Sequence, residues 1–176
     1  MFSTPSINLS QFHIEPGMVV ADLGCGSGEY VFDIVNRLGA HGKVYALDVQ
    51  KNLVEKLDNT CKQRGITNVI ALWDDLDDEN GIGLQDDSID RVVASNILFQ
   101  VDDVLKFALE IKRILKSTGQ VLIVDWSDSF NGMGPAPHAI FTYERAKDIF
   151  ERAGFTFTKD INAGDHHYGF IMKMNT

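Results

Sequence analysis

Apolar and polar positions along this 176-residue chain switch repeatedly between two periods. Short, nearly continuous apolar runs at 19–23, 43–47, 69–73, 89–95 and 120–126 have the length and branching of buried strands. Between them, apolar residues recur at helical spacing. Val31, Ile34, Val35 and Leu38 fall on one face of a helix that Gly39 stops. Leu53, Val54, Leu57 and Cys61 form a second stripe ending near Gly65. Val104, Phe107, Ala108, Ile111 and Leu115 form a third, ending at Lys116-Ser117-Thr118-Gly119, and Ala146, Ile149, Phe150 and Ala153 a fourth, closed by Gly154. Two alternating runs, 155–161 and 168–174, are joined by Asn162-Ala163-Gly164-Asp165, which predicts a hairpin with the last strand antiparallel to its neighbour. Residues 1–17 read as a short polar segment ending in the turn Glu15-Pro16-Gly17, followed by one domain over 18–176. Residues 74–88 are acidic and glycine-punctuated, and read as a solvated loop.

Strands alternating with helices on short links predict an α/β fold: a doubly wound, mostly parallel sheet in a Rossmann-like, three-layer αβα arrangement. Ligands of such sheets settle at the carboxyl ends of the strands, near the point where strand order reverses. Asp22, Gly24 to Gly28, Asp48, Asp74, Ser95 and Asn96 all map to that edge.

The densest signal is Asp22-Leu23-Gly24-Cys25-Gly26-Ser27-Gly28, where a strand breaks into a turn almost free of side chains. Dinucleotide-binding turns usually read G-x-G-x-x-G and aim a helix N-terminus at a pyrophosphate. Here the spacing differs and an acid precedes the glycines. A carboxylate there repels a diphosphate but suits an ammonium or sulfonium group. S-adenosylmethionine carries both, with a carboxylate for backbone N–H groups at the turn. Asp48 would accept from both ribose hydroxyls, and Asp74 from an adenine amino group.

Ala21-Asp22-Leu23-Gly24-Cys25-Gly26-Ser27-Gly28, Ala46-Leu47-Asp48, Trp73-Asp74-Asp75, Asp90-Arg91-Val92-Val93-Ala94-Ser95-Asn96 and Arg113-Ile114-Leu115-Lys116-Ser117-Thr118-Gly119-Gln120 resemble the successive motifs of the class I S-adenosylmethionine-dependent methyltransferases. Asp125-Trp126, Gly134-Pro135 and the His-Tyr-Gly opening of the last run resemble the compact UbiE-type small-molecule branch. The resemblance implies seven strands in order 3-2-1-4-5-7-6 with the last antiparallel. It implies S-adenosylmethionine as cofactor, S-adenosylhomocysteine as product, and contacts from Asp22, Gly24, Cys25, Gly26, Ser27, Gly28, Tyr30, Asp48, Val49, Gln50, Asp74, Asp75, Leu76, Ser95 and Asn96. After the fourth strand the chain reads Ser95-Asn96-Ile97-Leu98, without the Pro-Pro-Tyr that amino-group methyltransferases use, which points away from nucleobase or amide acceptors. The implied reaction is in-line methyl transfer to a small molecule, with positioning as the main catalytic effect. A module that binds the cofactor without catalysis, or serves as a partner subunit, stays open.

Composition narrows the field further. A net charge of −9 without a dense Lys/Arg cluster weighs against nucleic acid. No apolar run reaches membrane-spanning length and the first residues lack a secretory pattern, so a cytoplasmic setting is expected, with no membrane partner; a homodimer is compatible with the chain. Cys25 and Cys61 are isolated, so no disulfide or cysteine metal site is expected. Should the acceptor need a base, Asp125 and His138 are the candidates, with His166 or His167 beyond them. Adjacent histidines on a strand face opposite ways and cannot easily share a metal ion, so none is expected. Phe99, Trp126, Phe130, Phe141 and Tyr143 are expected near the pocket mouth.

Overall fold

A computed structural model describes residues 3–175. A seven-stranded sheet runs through it in the order β3-β2-β1-β4-β5-β7-β6. The strands are β1 (Val19–Leu23), β2 (Lys43–Asp48), β3 (Val69–Trp73), β4 (Ile89–Ser95), β5 (Leu115–Trp126), β6 (Phe155–Asp160) and β7 (His167–Met174). β1 to β5 pair in parallel, and β7 runs antiparallel to both β5 and β6. This is the order and the hairpin expected above.

Five α-helices cover the two faces: α1 (Pro5–Ser10), α2 (Glu29–Leu38), α3 (Lys51–Gln63), α4 (Val104–Ile114) and α5 (Tyr143–Arg152). Successive residues of β1 point to opposite sides, as strand geometry requires. Val20 enters a core with Ile34, Leu38 and Leu57, beneath α1, α2 and α3. Ala21 and Leu23 enter a second core with Phe107, Ile111 and Phe150, beneath α4 and α5. Both faces of the strand are thereby buried, which is why the parallel strands read as unbroken apolar runs.

Three segments depart from the sequence reading. Residues before β1 are not merely a polar lead. Pro5 opens α1 at its first position, and Leu9 and Phe12 are buried against the sheet-facing core. The third predicted helix, α4, stops at Ile114, and Leu115 already pairs with Ile89 in the sheet. Ser88 N–H donates to Ile114 O and Lys116 Nζ meets Asp90 Oδ1 at 2.9 Å, so cross-strand bonds claim 115–119 despite the helical stripe. The register between β4 and β5 then shifts through a bulge, which absorbs the extra residues. Finally, the 74–88 segment has no regular structure, yet it buries Leu76, Ile82 and Leu84. Arg113 pins it by donating to the Ile82 and Leu84 carbonyls and to Asp86, while Glu110 accepts from Ile82 N–H.

Candidate functional site

The sheet's order reverses between β1 and β4, and a cleft of about 450 Å³ opens over their carboxyl ends. Asp22, at the penultimate position of β1, lines it with only 2% of its surface exposed. Its Oδ2 is fully buried and has no hydrogen-bond partner. Burial first, then the charge of Asp48, push its carboxyl from 3.8 up to about 7. A carboxylate so placed lacks a cation.

The turn after β1 holds its shape through its own amides. Gly24 and Cys25 N–H both donate to Leu47 O, Gly26 N–H to Asp48 Oδ2 and Gly28 N–H to Cys25 O. Four of its amides are thereby engaged within the protein, and Ser27 N–H is not among them. Gly28 caps α2 at φ +87°, and a Cβ there would sit 2.6 Å from Leu57 Cδ1, so only glycine fits. Gly26 has open space where its Cβ would be and lines the cleft, which allows close approach to bare backbone.

Asp48 ends β2, 7% exposed, and its two oxygens each accept one backbone N–H at 2.8 Å, from Gly26 and Gln50. Each oxygen keeps acceptor capacity for a further donor, and Asp48 lines the cleft. Val49 and Gln50 line the same wall. Asp75 and Leu76 line the far end, but Asp74 does not. Its Oδ2 turns back to accept from Gly83 N–H at 2.8 Å, tying the following loop. Gly28 likewise stands behind the lining, whereas Cys25, Ser27, Tyr30, Ser95 and Asn96 belong to it. Asn96 adopts φ +56° and has a buried, unpartnered Oδ1. Sequence reasoning missed Glu29, Asp77, Ile97, Gln100 and Val101 in the lining. Glu29 and Asp77 adjoin residues it had named, so proximity was the available signal.

Burial, then Asp22 and Asp48, push the Cys25 thiol well above its ordinary range, so it is an inert wall residue. Burial also raises the Tyr30 phenol, against the hydrogen bonds of Ser95 and Asn8. Asp125 lies 1% exposed beneath the site and not in its lining. Its oxygens accept from Leu98 N–H and Trp126 N–H, both at 2.8 Å, while burial pushes its carboxyl up to about 6. It anchors the turn after β4. His138 lines a separate depression of about 320 Å³ with Phe99, Phe141 and Arg145. His166 Nδ1 lies 2.8 Å from Asp128, and His167 packs against the Trp126 ring at 4.2 Å. Phe130 stacks on His166 and Tyr143 donates to Asp160, and none of Phe99, Trp126, Phe130, Phe141 and Tyr143 lines the cleft where they were expected. Among the described residues, no group of three or more His, Cys, Asp or Glu is arranged to hold a metal ion. No helix among them is long and apolar enough to cross a membrane.

Comparison with known proteins bears on this geometry. A family model described as a methyltransferase domain matches residues 14–154. The chain is 30% identical over 111 residues to a demethylmenaquinone methyltransferase of Lactococcus lactis subsp. lactis, covering 63% of this chain and 43% of that protein. It is 25% identical to the Staphylococcus haemolyticus protein of the same name, covering 96% of this chain and 82% of that one. The chain thus spans about half the length of several curated relatives it matches. Among solved structures, a SAM dependent methyltransferase from Aquifex aeolicus superposes with a TM-score of 0.89 at 28% identity, covering 99% of this chain and 91% of that one.

Proposed function

The chain belongs to the class I S-adenosylmethionine-dependent methyltransferases, through a methyltransferase domain over residues 14–154, and we propose that it transfers the methyl group of S-adenosylmethionine to a small-molecule acceptor. The observation that carries this reading is the unpartnered, buried Asp22 oxygen on the wall of a cleft whose lining, among the described residues, holds no Lys, Arg or His. A buried carboxylate without a partner is costly, and a cationic ligand relieves that cost. The amino group of the cofactor's methionine end suits Asp22. The paired lone pairs on Asp48 suit vicinal ribose hydroxyls, and Asp75 and Leu76 suit the adenine edge in place of Asp74. When bound, the cofactor supplies an electrophilic methyl group on a sulfonium, open to in-line attack by the acceptor.

What remains for the protein is to hold, align and dry the reacting pair, and positioning of this kind is worth about 7–11 kcal/mol. Asp125 serves that end from beneath, because its carboxylate fixes the backbone at Leu98 and Trp126 and is not open to the cleft. His138 lines the neighbouring depression, so neither residue supports a general-base role in the cleft. An acceptor that is already nucleophilic at neutral pH fits this arrangement best. The relatives' names make a quinol-type ring the first to try, and the cleft volume falls in the range of small-molecule sites.

Incubation with S-adenosylmethionine and a demethylated naphthoquinol should release S-adenosylhomocysteine in step with methylated product. Cofactor binding with no methyl transfer to this or other small acceptors would favour the non-catalytic module instead.

A further inference from the structure

The two edges of the sheet are built differently. β6 carries Thr156, Thr158, Lys159 and Asp160, and its register breaks at a bulge between Phe157 and Lys159. Charge and a bulge are the usual guards against the addition of a further strand. β3, at the opposite edge, reads Val69-Ile70-Ala71-Leu72-Trp73, without charge, proline or glycine and in unbroken register with β2. Every one of its residues is at least partly exposed. Trp73 is 64% exposed and Val49 55%, the two most exposed large apolar side chains among the described residues. The indole N–H of Trp73 donates to Val49 O at 2.9 Å, so the ring's one polar group is satisfied within the chain while the ring itself stays outside.

The backbone of β3 offers a definite register. Val44 N–H donates to Asn68 O and Asp74 N–H to Asp48 O, so residues 68 and 74 turn these groups toward β2. Bonding direction alternates along a strand, which turns the backbone groups of Ile70 and Leu72 toward β2 as well, and those of Val69, Ala71 and Trp73 outward. A second β3 laid antiparallel about a two-fold axis at Ala71 meets that pattern. Ala71 faces the partner's Ala71, Val69 faces the partner's Trp73, and each pair exchanges two N–H···O bonds. Val69 and Ala71 lie on the α3 side of the sheet, and alternation puts Trp73 there too, so its ring covers the partner's Val69. On the other side Ile70 meets the partner's Leu72. The flanks agree. Lys62 and Arg64 precede the strand, and Asp74 and Asp75 follow it. An antiparallel neighbour sets the acidic end of one copy against the basic end of the other, whereas a parallel one sets like against like.

We propose that the β3 edge is a homodimer interface, at which two copies of the chain pair antiparallel through residues 69–73 and form one continuous sheet. A two-fold contact of this kind closes on itself, so it covers the open edge without leading to filaments. The interface does not depend on what the cleft binds, yet it abuts the cleft, because Val49 lines that cavity and its carbonyl holds the Trp73 ring in place.

Sedimentation velocity of the purified chain, from micromolar to submillimolar concentration, should show reversible exchange between monomer and dimer. Amide hydrogen exchange, read residue by residue at both ends of that range, should slow at Val69, Ala71 and Trp73 in the dimer. Ile70 and Leu72, bonded to β2 in both states, should stay protected throughout. Ala71→Pro removes an outward N–H and no bond to β2, so the chain should fold and its dimerisation weaken about tenfold or more. Trp73→Lys, at an exposed position, should weaken dimerisation likewise, and it keeps the question answerable if Ala71→Pro does not fold. A chain that stays monomeric across the range leaves the edge to a strand of some other protein and overturns the proposal. So does a dimer whose Val69, Ala71 and Trp73 amides exchange as fast as in the monomer, or one that both variants leave intact, since its interface then lies elsewhere.

Discussion

Replacing Asp22 by Asn tests how a buried acid is used. The carboxyl is 2% exposed and its titration is raised from 3.8 to about 7, chiefly by burial. In the unfolded chain the group ionises above 3.8, whereas in the folded chain it keeps its proton until about 7. Between those values the folded state binds the extra proton, so this group makes stability fall as pH rises and then level off above about 7. At 1.36 kcal/mol per unit, the wild-type chain forgoes up to roughly 4 kcal/mol above the window. An amide cannot ionise and escapes that loss. Asp22→Asn should therefore melt about 3–7 °C above the wild type at pH 5, where about 1.7 kcal/mol is already lost, and about 8–16 °C above it at pH 8, using the usual 2–4 °C per kcal/mol for chains of this size. Other titrating groups, such as Asp125, act on both proteins and cancel in the difference. Binding should move the opposite way. Protons compete with a cationic ligand for Asp22, so wild-type affinity for S-adenosylhomocysteine should drop about tenfold per unit as pH falls below about 7. The variant should bind weakly at every pH. Scanning calorimetry and titration calorimetry over pH 5–8 read both effects. A melting difference that does not change with pH, or wild-type affinity flat across pH 6–8, would refute the reasoning.

Two further outcomes follow from the same geometry. Asp48→Ala should weaken S-adenosylhomocysteine binding by about 2–4 kcal/mol, since it removes a charged partner for two hydroxyls and the anchor of Gly26 and Gln50; unchanged affinity in titration calorimetry would show the ribose assignment wrong. Gly28→Ala should destabilise the fold by about 1–3 kcal/mol, because the new Cβ adds left-handed backbone strain at φ +87° to a clash with Leu57; measured against Leu57→Ala alone, whose cavity has its own cost, the same change should cost less but not nothing, and no cost there in denaturant titrations would contradict that division.

The sheet was legible because its strands are buried on both faces and its helices on one. Val20, Ala21 and Leu23 serve two cores at once, and so leave an unbroken apolar run. The acids at strand ends were legible for a related reason: Asp22 and Asp48 interrupt such runs where only a ligand or a turn can use a charge. What was not legible depends on partners distant in sequence. Nothing near Asp74 announces that Gly83 N–H would claim its carboxylate and leave the cleft to Asp75 and Leu76. Likewise, Leu115 carries a helical spacing, and only its pairing with Ile89 makes it a strand residue. α1 escaped notice because six residues are too few to establish a period, and its value lies in Asn8 reaching Tyr30, 22 positions later.

The account stands on a carboxylate-lined cleft made for an adenosyl sulfonium compound. Titration of the purified chain with S-adenosylmethionine and with NAD, under one buffer, tests that most directly. Saturable binding of one S-adenosylmethionine per chain, absent for NAD and lost in Asp22→Asn, is the predicted result; binding of NAD with none of S-adenosylmethionine at millimolar concentration would contradict it.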